Sequence, residues 1–485
     1  MFKVIVGRTL KISEITSYLE EDSEMPDFDI LIKNGLIVTM DSKRRVIEGG
    51  YVGIVEDKIT EVGRDASRKT ADKVIDAKGA IVMPGIICGH THLYGILLRG
   101  SPWFAKIEPP SDFMQNLQRI WWTMDEVMNY DDAYASALAA SFEMMKSGVT
   151  LFADTFSGPN AIEGVLDKIE KAVRKVGIRG IIAFEATERH SREEGERGIK
   201  ENIRFIEKVR KEKDPLVTGM ISIHASFTVT NWLLKWAREL ANQYKVPITL
   251  HASEGPIDPY HNLERYGMRT FERLYKVGLL GPDVVAVHAV HVIDDELELI
   301  AKTGTKIAHN PLSNMLNAVG APPVHKMLKM GITVTIGNDG YIFDPFENIR
   351  GAYLLAKVAF RDPRLITPLE AIEMATINGA KAYGLENKLG SLEPRKKADI
   401  IIIRPELMPT PLNAETVYGH LVNTIDGDDV DTVIVNGKIV VENRKSKTIS
   451  EKEVNKVAQE ASAKFWDRLL SEGIYQLDIV RIEKE

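Results

Sequence analysis

The sequence predicts an α/β protein: a (β/α)8 TIM barrel with a small β-sandwich domain built from the N- and C-terminal segments. Three observations predict it. Short runs rich in Val and Ile alternate with helical stretches through the long middle of the chain. Eight such runs can be placed, the number a closed barrel needs. The two ends of the chain share a different texture, short strands broken by turn residues.

The elements follow in order. Residues 1–26 read as an N-terminal appendage. The stretch "MFKVIVGRTLKISEITSYLEEDSE" turns acidic without an uninterrupted apolar run, so it does not read as a signal peptide. Residues 27–83 carry "DILIKNGLIVTMD", "YVGIVEDKITEVG" and "KVIDAKGAIVMPG", with Lys-Asn-Gly and Glu-Asp-Lys where hairpin turns are expected. This is the first part of the β domain, and residues 391–445, with "ADIIIIRPE" and "DVDTVIVNGKIVVENRK", are the second. Between them, residues 84–390 hold the barrel. Its strands read "GAIVMPGIIC", "VTLFADT", "IRGIIAFEA", "VTGMISIHA", "PITLHAS", "VVAVHAV", "KIAHN" and "ITVTIGND". Residues 446–485 read as a helical surface appendage. An open doubly wound sheet is the rival, but there is no glycine fingerprint for a nucleotide.

Composition narrows the function. The 485 residues are 44% hydrophobic and 27% charged, as in an ordinary globular protein. A net charge of −7 gives no basic footprint for nucleic acid. No apolar run approaches the length of a membrane span. The single cysteine excludes an internal disulfide and fits a reducing compartment, so a cytoplasmic protein is expected.

The chemistry sits at the strand ends. In order they offer His90 and His92, Asp154, Glu185, His224, His251 with Glu254, His288, His309 and Asp339. The C-terminal ends of barrel strands are where this fold carries its reactive groups. Imidazole and carboxylate are the ligands of a borderline divalent metal, zinc first, with iron(II) or manganese also compatible. Two histidines at i and i+2 share one face of a strand, so His90 and His92 can bind one ion. A third histidine and a carboxylate from other strands would complete the set and leave a position open for water. Asp154 reads equally well as support for a neighbouring ligand. Read as a regular strand, Cys88 shares the histidines' side but lies about 6–7 Å lower, among the residues that fill the barrel. There it would be an inert, neutral thiol.

The segments "PGIICGHTH", "ITLHASEG", "VVAVHAVH", "KIAHNPLSN" and "TIGNDG" resemble the signature segments of the amidohydrolase superfamily. Within it they are similar to the branch of deaminases and chlorohydrolases acting on nitrogen heterocycles, and the resemblance spans essentially the whole chain. At finer grain, "NPLSNMLNAVG", "GNDGYIFDPFENIRGAYLL" and "IWWTMD" resemble the SsnA-type aminohydrolases. The resemblance implies His90, His92, His251 and Asp339 as ligands of one divalent ion per subunit. It implies Glu254 as the proton shuttle to a ring nitrogen and His288 as the residue that orients and helps activate the attacking water. It places His224, His309 and Asn310 against the substrate. Cys88 and Asn338 depart from the family's usual residues without removing a ligand. Dinuclear members use a lysine on a middle strand, and "IRGIIAFEA" and "VTGMISIHA" have none, so one metal is expected.

The implied reaction is hydrolysis of a non-peptide C–N bond, deamination of a purine- or pyrimidine-like heterocycle or nucleoside by a metal-activated water. Cyclic-amide hydrolysis, dechlorination and a non-catalytic binding role are the alternatives. The insertion after His92 is expected to cover the barrel mouth, with Trp103, Trp121 and Trp122 available to stack on a flat ring. Adenosyl deaminases of the branch hold a carboxylate with arginines near the third strand. Arg189, Arg192 and Arg197 lie there among many acids, and their register leaves that question open. A small-molecule heterocyclic substrate and a homo-oligomer, dimer or tetramer, are expected as partners.

Overall fold

The computed structural model describes residues 26–212 and 216–482. All but the last residue of the expected N-terminal appendage lies outside them. The barrel strands are Ile86–Thr91, Val149–Phe156, Arg179–Ala186, Val217–Gly219 with Ile221–Ala225, Ile248–Ala252, Val284–His288, Lys306–His309 and Val334–Ile336. They pair in parallel in chain order. The ring closes at one level, where Thr91 bridges Asp339. The His92 N–H donates to the Asp339 carbonyl at 2.7 Å, and the Asn338 N–H donates to the His90 carbonyl at 3.0 Å. Gly89 is required at this seam, because a Cβ there would stand 2.3 Å from the Thr335 methyl. The closing seam therefore also presents the strand-end histidines and Asp339.

Inside the barrel, Ile87, Leu151, Ala153, Ile181, Ala183, Val285, Val287 and Ala308 pack together, and Ala380, Tyr383 and Leu389 join them. Helices cover the outside. Local sequence explains where they begin and end: Asn129 and Asp132 form a capping box on the helix Tyr130–Lys146, and Gly177, at φ 86°, ends Val165–Val176.

The first strand corrects the expected position of Cys88. Its register pairs Cys88 with Phe152 but Thr91 with Asp154, so three steps on one strand match two on the other. This bulge reverses the alternation. Ile87 faces the barrel interior below, and His90 and His92 face it above. Cys88 turns to the helix side, beside Ile336, Pro345, Ile349 and Ala375. It is buried there and donates its S–H to the His90 carbonyl at 3.3 Å. Burial pushes the thiol up to about 12, so it is neutral.

The terminal strands form one nine-stranded sheet, in which Ile81–Pro84 pairs with both Phe28–Val38 and Ile400–Ile403. The two ends of the chain meet at that strand. In "IIII", Ile400 and Ile402 enter the small domain's own core while Ile401 and Ile403 enter the barrel's. The hairpin expected at Lys-Asn-Gly is absent. The strand Phe28–Val38 runs through it with an irregular register and Asn34 at φ 59°, a bulge rather than a reversal.

The C-terminal helix Glu451–Ile482 is not the expected surface appendage. Val454, Phe465 and Leu469 are buried in the main core. Trp466 donates its indole N–H to the Leu97 carbonyl at 2.6 Å, and Arg468 pairs with Asp132. The helix holds the back of the insertion that follows His92.

Candidate metal centre and its pocket

Four buried side chains converge at the top of the barrel. His90, His92, His251 and Asp339 each offer one ligand atom, all within 4.8 Å of one another. His92 Nε2 lies 3.3 Å from His251 Nε2 and 3.1 Å from Asp339 Oδ1, and His90 Nε2 lies 3.5 Å from the same oxygen. Four donors at zinc–nitrogen and zinc–oxygen bond lengths in a tetrahedron stand about 3.3–3.6 Å apart, so these spacings fit a single ion. The His90 Nε2 atom is buried without a hydrogen-bond partner. The rings are aimed from behind. His92 Nδ1 donates to the Thr155 carbonyl at 2.9 Å, and His251 Nδ1 donates to the His224 carbonyl at 2.7 Å. Both tautomers thus present Nε2 to the centre.

Electrostatics agree with a cation there. Burial holds His251 well below its ordinary value, a neutral donor. Burial would raise the Asp339 carboxyl, but the His90 and His92 rings beside it outweigh that and hold Asp339 well below the usual range. On His92 the burial penalty is overcome by Glu185 and Asp339, which lift it to about 10. A cation at the centre would take the place of that proton.

A second layer stands around it on neighbouring strands, turns and a helix. His288 Nδ1 donates to Asn314 Oδ1 at 2.8 Å, which leaves the buried Nε2 as a free lone pair. That Nε2 is 3.4 Å from Glu254 Oε2 and 4.0 Å from Asp339 Oδ2. Burial and the Asp339 charge push the Glu254 carboxyl well up. Ser313 donates its hydroxyl to Asp339 Oδ2. Asp258 accepts the Ser253 N–H and so fixes the turn that carries Glu254. Ser253, His288 and Asp339 hold left-handed backbone at φ 55°, 74° and 61°, strain concentrated where the reactive side chains must be aimed. Asp154, beside the centre, accepts the Leu93 N–H at 2.9 Å and so supports the residue following His92.

The cavity above is roofed by the insertion. Tyr94, Phe113, Leu117, Trp121 and Trp122 wall it, with Asp125, Glu185 and His224 among the polar groups. Trp121 lies on Gly340, where a Cβ would meet the ring at 2.3 Å. Trp103 does not face the cavity. It is fully buried, donates to the Arg119 carbonyl at 2.9 Å and packs against Gly473 of the C-terminal helix. His309 and Asn310 lie off the cavity wall, fully buried around His288. The helix Pro311–Leu316 begins directly after them, and its Ser313 and Asn314 hold Asp339 and His288 from behind. Of the three arginines after the third strand, only Arg189 reaches the site. It pairs with Asp125 at 2.8 Å and stacks on Trp122, while Arg192 covers Trp232 and Arg197 pairs with Glu163.

Sequence reading missed Asp125, Ser313 and Asn314, and gave Glu185 no role. Asn314 and Ser313 sit in the "NPLSN" segment, whose spacing after His309 was the available signal. Asp125 closes the "IWWTMD" segment, whose likeness to the SsnA-type aminohydrolases was the available signal.

Residues 81–440 match the amidohydrolase family. The chain is 37% identical over 442 residues to a 5'-deoxyadenosine deaminase of Methanobrevibacter smithii, covering 90% of this chain and 98% of that protein. It is 35% identical over 432 residues to a 5-methylthioadenosine/S-adenosylhomocysteine deaminase of Pyrococcus furiosus, covering 88% and 98%. An adenosine deaminase from Xanthomonas campestris with bound zinc shares the fold at a TM-score of 0.82 and 24% identity, over 90% of this chain and 98% of that one. An atrazine chlorohydrolase from Arthrobacter aurescens shares it at 0.76 and 23%, over 89% and 100%. The chain belongs to the amidohydrolase family, in its deaminase and chlorohydrolase branch.

Proposed function

We propose that the chain is a metal-dependent deaminase of adenosine-type nucleosides modified at the 5' position. The observation that carries this is the convergence of His90, His92, His251 and Asp339 directly beneath Glu254 and His288, at the floor of an aromatic cavity. The relatives named above act, by their names, on adenosyl compounds. The SsnA-type resemblance adds no substrate of its own.

The four ligands would hold one divalent ion, zinc by the choice of donors. Its contribution is Lewis acidity, which brings the pKa of a water towards neutrality. The rest falls to the protein. His288 Nε2, kept free by Asn314, accepts a hydrogen bond from the attacking water and fixes its oxygen. Asp339 takes the proton that the water loses. Glu254 gives its proton to the ring nitrogen beside the amino-bearing carbon, and the water oxygen adds to that carbon. Proton return to the amino group lets ammonia leave, and a carbonyl remains. Replacing Asn314 with Leu is expected to lower kcat by roughly 10–100-fold at unchanged zinc content. An unchanged kcat would remove Asn314 from this scheme.

A nucleoside fits better than a free base because unsatisfied polar atoms lie in the cavity wall, on Asp125 and Trp122, and in Arg189 packed against them. Asp125 Oδ1, Arg189 Nε and Nη1, and Trp122 Nε1 are buried without hydrogen-bond partners. Buried polar groups of this kind are ordinarily satisfied, and sugar hydroxyls supply both donors and acceptors. Zinc-loaded protein should release ammonia from 5'-deoxyadenosine and 5-methylthioadenosine and far less from adenine. Asp125→Asn should raise KM for the nucleosides by about 10–100-fold, the worth of a hydrogen bond to a charged group. Ammonia from none of these compounds would sink the reading. Chloride release and ring opening, followed in the same screen, test the two other hydrolytic chemistries. The single cysteine supports a reducing, cytoplasmic location.

A further inference from the structure

The helix Pro345–Phe360 lies on the outside of the barrel, and the side it turns from the core is largely apolar. Leu354 is 46% exposed and Val358 78%, where an outer helix ordinarily carries polar residues. With Glu347, and Arg361 just past the helix, they form one stripe, because steps of seven, four and three residues return to the same side. Both charges are exposed, and neither has an ion-pair partner among the described residues. Gly351 lies on the same stripe, and Pro311 and Leu312 pack where its side chain would stand. They begin the helix Pro311–Leu316, which adds Met315, 45% exposed, and Leu316, 59% exposed. Ser313 and Asn314, the residues just before these, turn inward to Asp339 and His288. The apolar face thus lies on the wall behind the metal centre.

We infer that this face is the contact between two copies of the chain, joined with their Pro345–Phe360 helices antiparallel about a two-fold axis. Its size suits a second copy. Leu354, Val358, Met315 and Leu316 leave on the order of 400 Å² of apolar surface open, and a stable interface covers about 800 Å² per partner, a little over half of it apolar. Charge sets the orientation. Glu347 and Arg361 stand seven residues to either side of Leu354. A two-fold axis beside Leu354 therefore sets each Glu347 opposite the partner's Arg361, so both ends of the contact are paired. A parallel arrangement would set like charges together. An unrelated partner would have to supply the inverse of this pattern, whereas a second copy already carries it.

The test is sedimentation equilibrium of the full chain. The parent should sediment at twice the chain mass, or as a tetramer that Val358→Glu halves. Val358→Glu puts a charge into the middle of the contact and should raise the dissociation constant by at least about 30-fold. Glu347→Arg and Arg361→Glu should each raise it by at least about tenfold, since each sets like charges together. Both charge substitutions in one chain should return it to within about threefold of the parent, because the pair is then reversed on both sides. Circular dichroism checks the fold of each variant, and the charge series stands without Val358→Glu if that variant fails to fold. A parent that is monomeric at every attainable concentration overturns the inference. So does an assembly that Val358→Glu leaves intact, since the contact is then elsewhere. A double charge variant no tighter than the single ones overturns the antiparallel pairing.

Discussion

Glu254→Gln is expected to lower kcat by roughly 10²–10⁴-fold while zinc stays at one equivalent, the loss ordinarily seen when a positioned acid is removed. Glutamine keeps the shape and the hydrogen-bonding reach of the side chain but has no transferable proton. The position is suited to the role. The carboxyl is buried, and the Asp339 charge adds to the burial penalty, so both push its proton affinity well up. It also stands 3.4 Å from His288 Nε2, so the acid and the group holding the water meet on one side of the proposed ion. Steady-state kinetics on 5'-deoxyadenosine, with zinc content measured on the same preparation, gives the answer. A variant within about threefold of the parent would contradict the assignment, because a shuttle normally contributes more than that.

The second large effect divides the first barrel strand. His90→Ala or His92→Ala should weaken zinc binding by well over about 10²-fold, since loss even of a residue that only supports a ligand costs about 10–100-fold. Cys88→Ala should leave zinc content unchanged and cost on the order of 1 kcal/mol of stability, the price of a small void in a packed layer. The contrast is sharp because the three residues lie within five positions of one another. Cys88 packs on the helix side and donates to the His90 carbonyl, so its loss can shift the strand slightly without removing a donor. Zinc analysis after dialysis, with thermal unfolding alongside, reads both halves. Metal loss in the cysteine variant would mean that the bulge depends on that thiol.

Much of the fold was legible because its signals are local. Runs such as "VTLFADT" and "VVAVHAV" are apolar over the length of one strand and end on a polar residue. A parallel strand buried on both faces, with its C-terminal end at a site, must have that pattern. The meeting of the two chain ends in one sheet was also readable, from "IIII" and the turn residues around it. Other features were not. Lys-Asn-Gly signals a reversal, yet the strand continues through it, because pairing with neighbours on both sides outweighs the turn preference of three residues. The C-terminal helix looked like an appendage because its apolar positions meet the insertion after His92 some 370 residues earlier, at Leu97. The two segments become neighbours only in the fold.

The donor types and their order along the chain were determined by the sequence alone: imidazoles and carboxylates at successive strand ends, and two histidines spaced for one ion. Whatever depends on contacts between distant residues was decided by tertiary structure. The bulge between Cys88 and Thr91 exists only against the second strand, and it reverses which side the cysteine faces. Asp125 acquires its meaning from Arg189, 64 positions away. Asn314 acquires its own from His288, 26 positions away at the end of the sixth barrel strand. Periodicity reports which residues can share a face. Packing decides which of them meet.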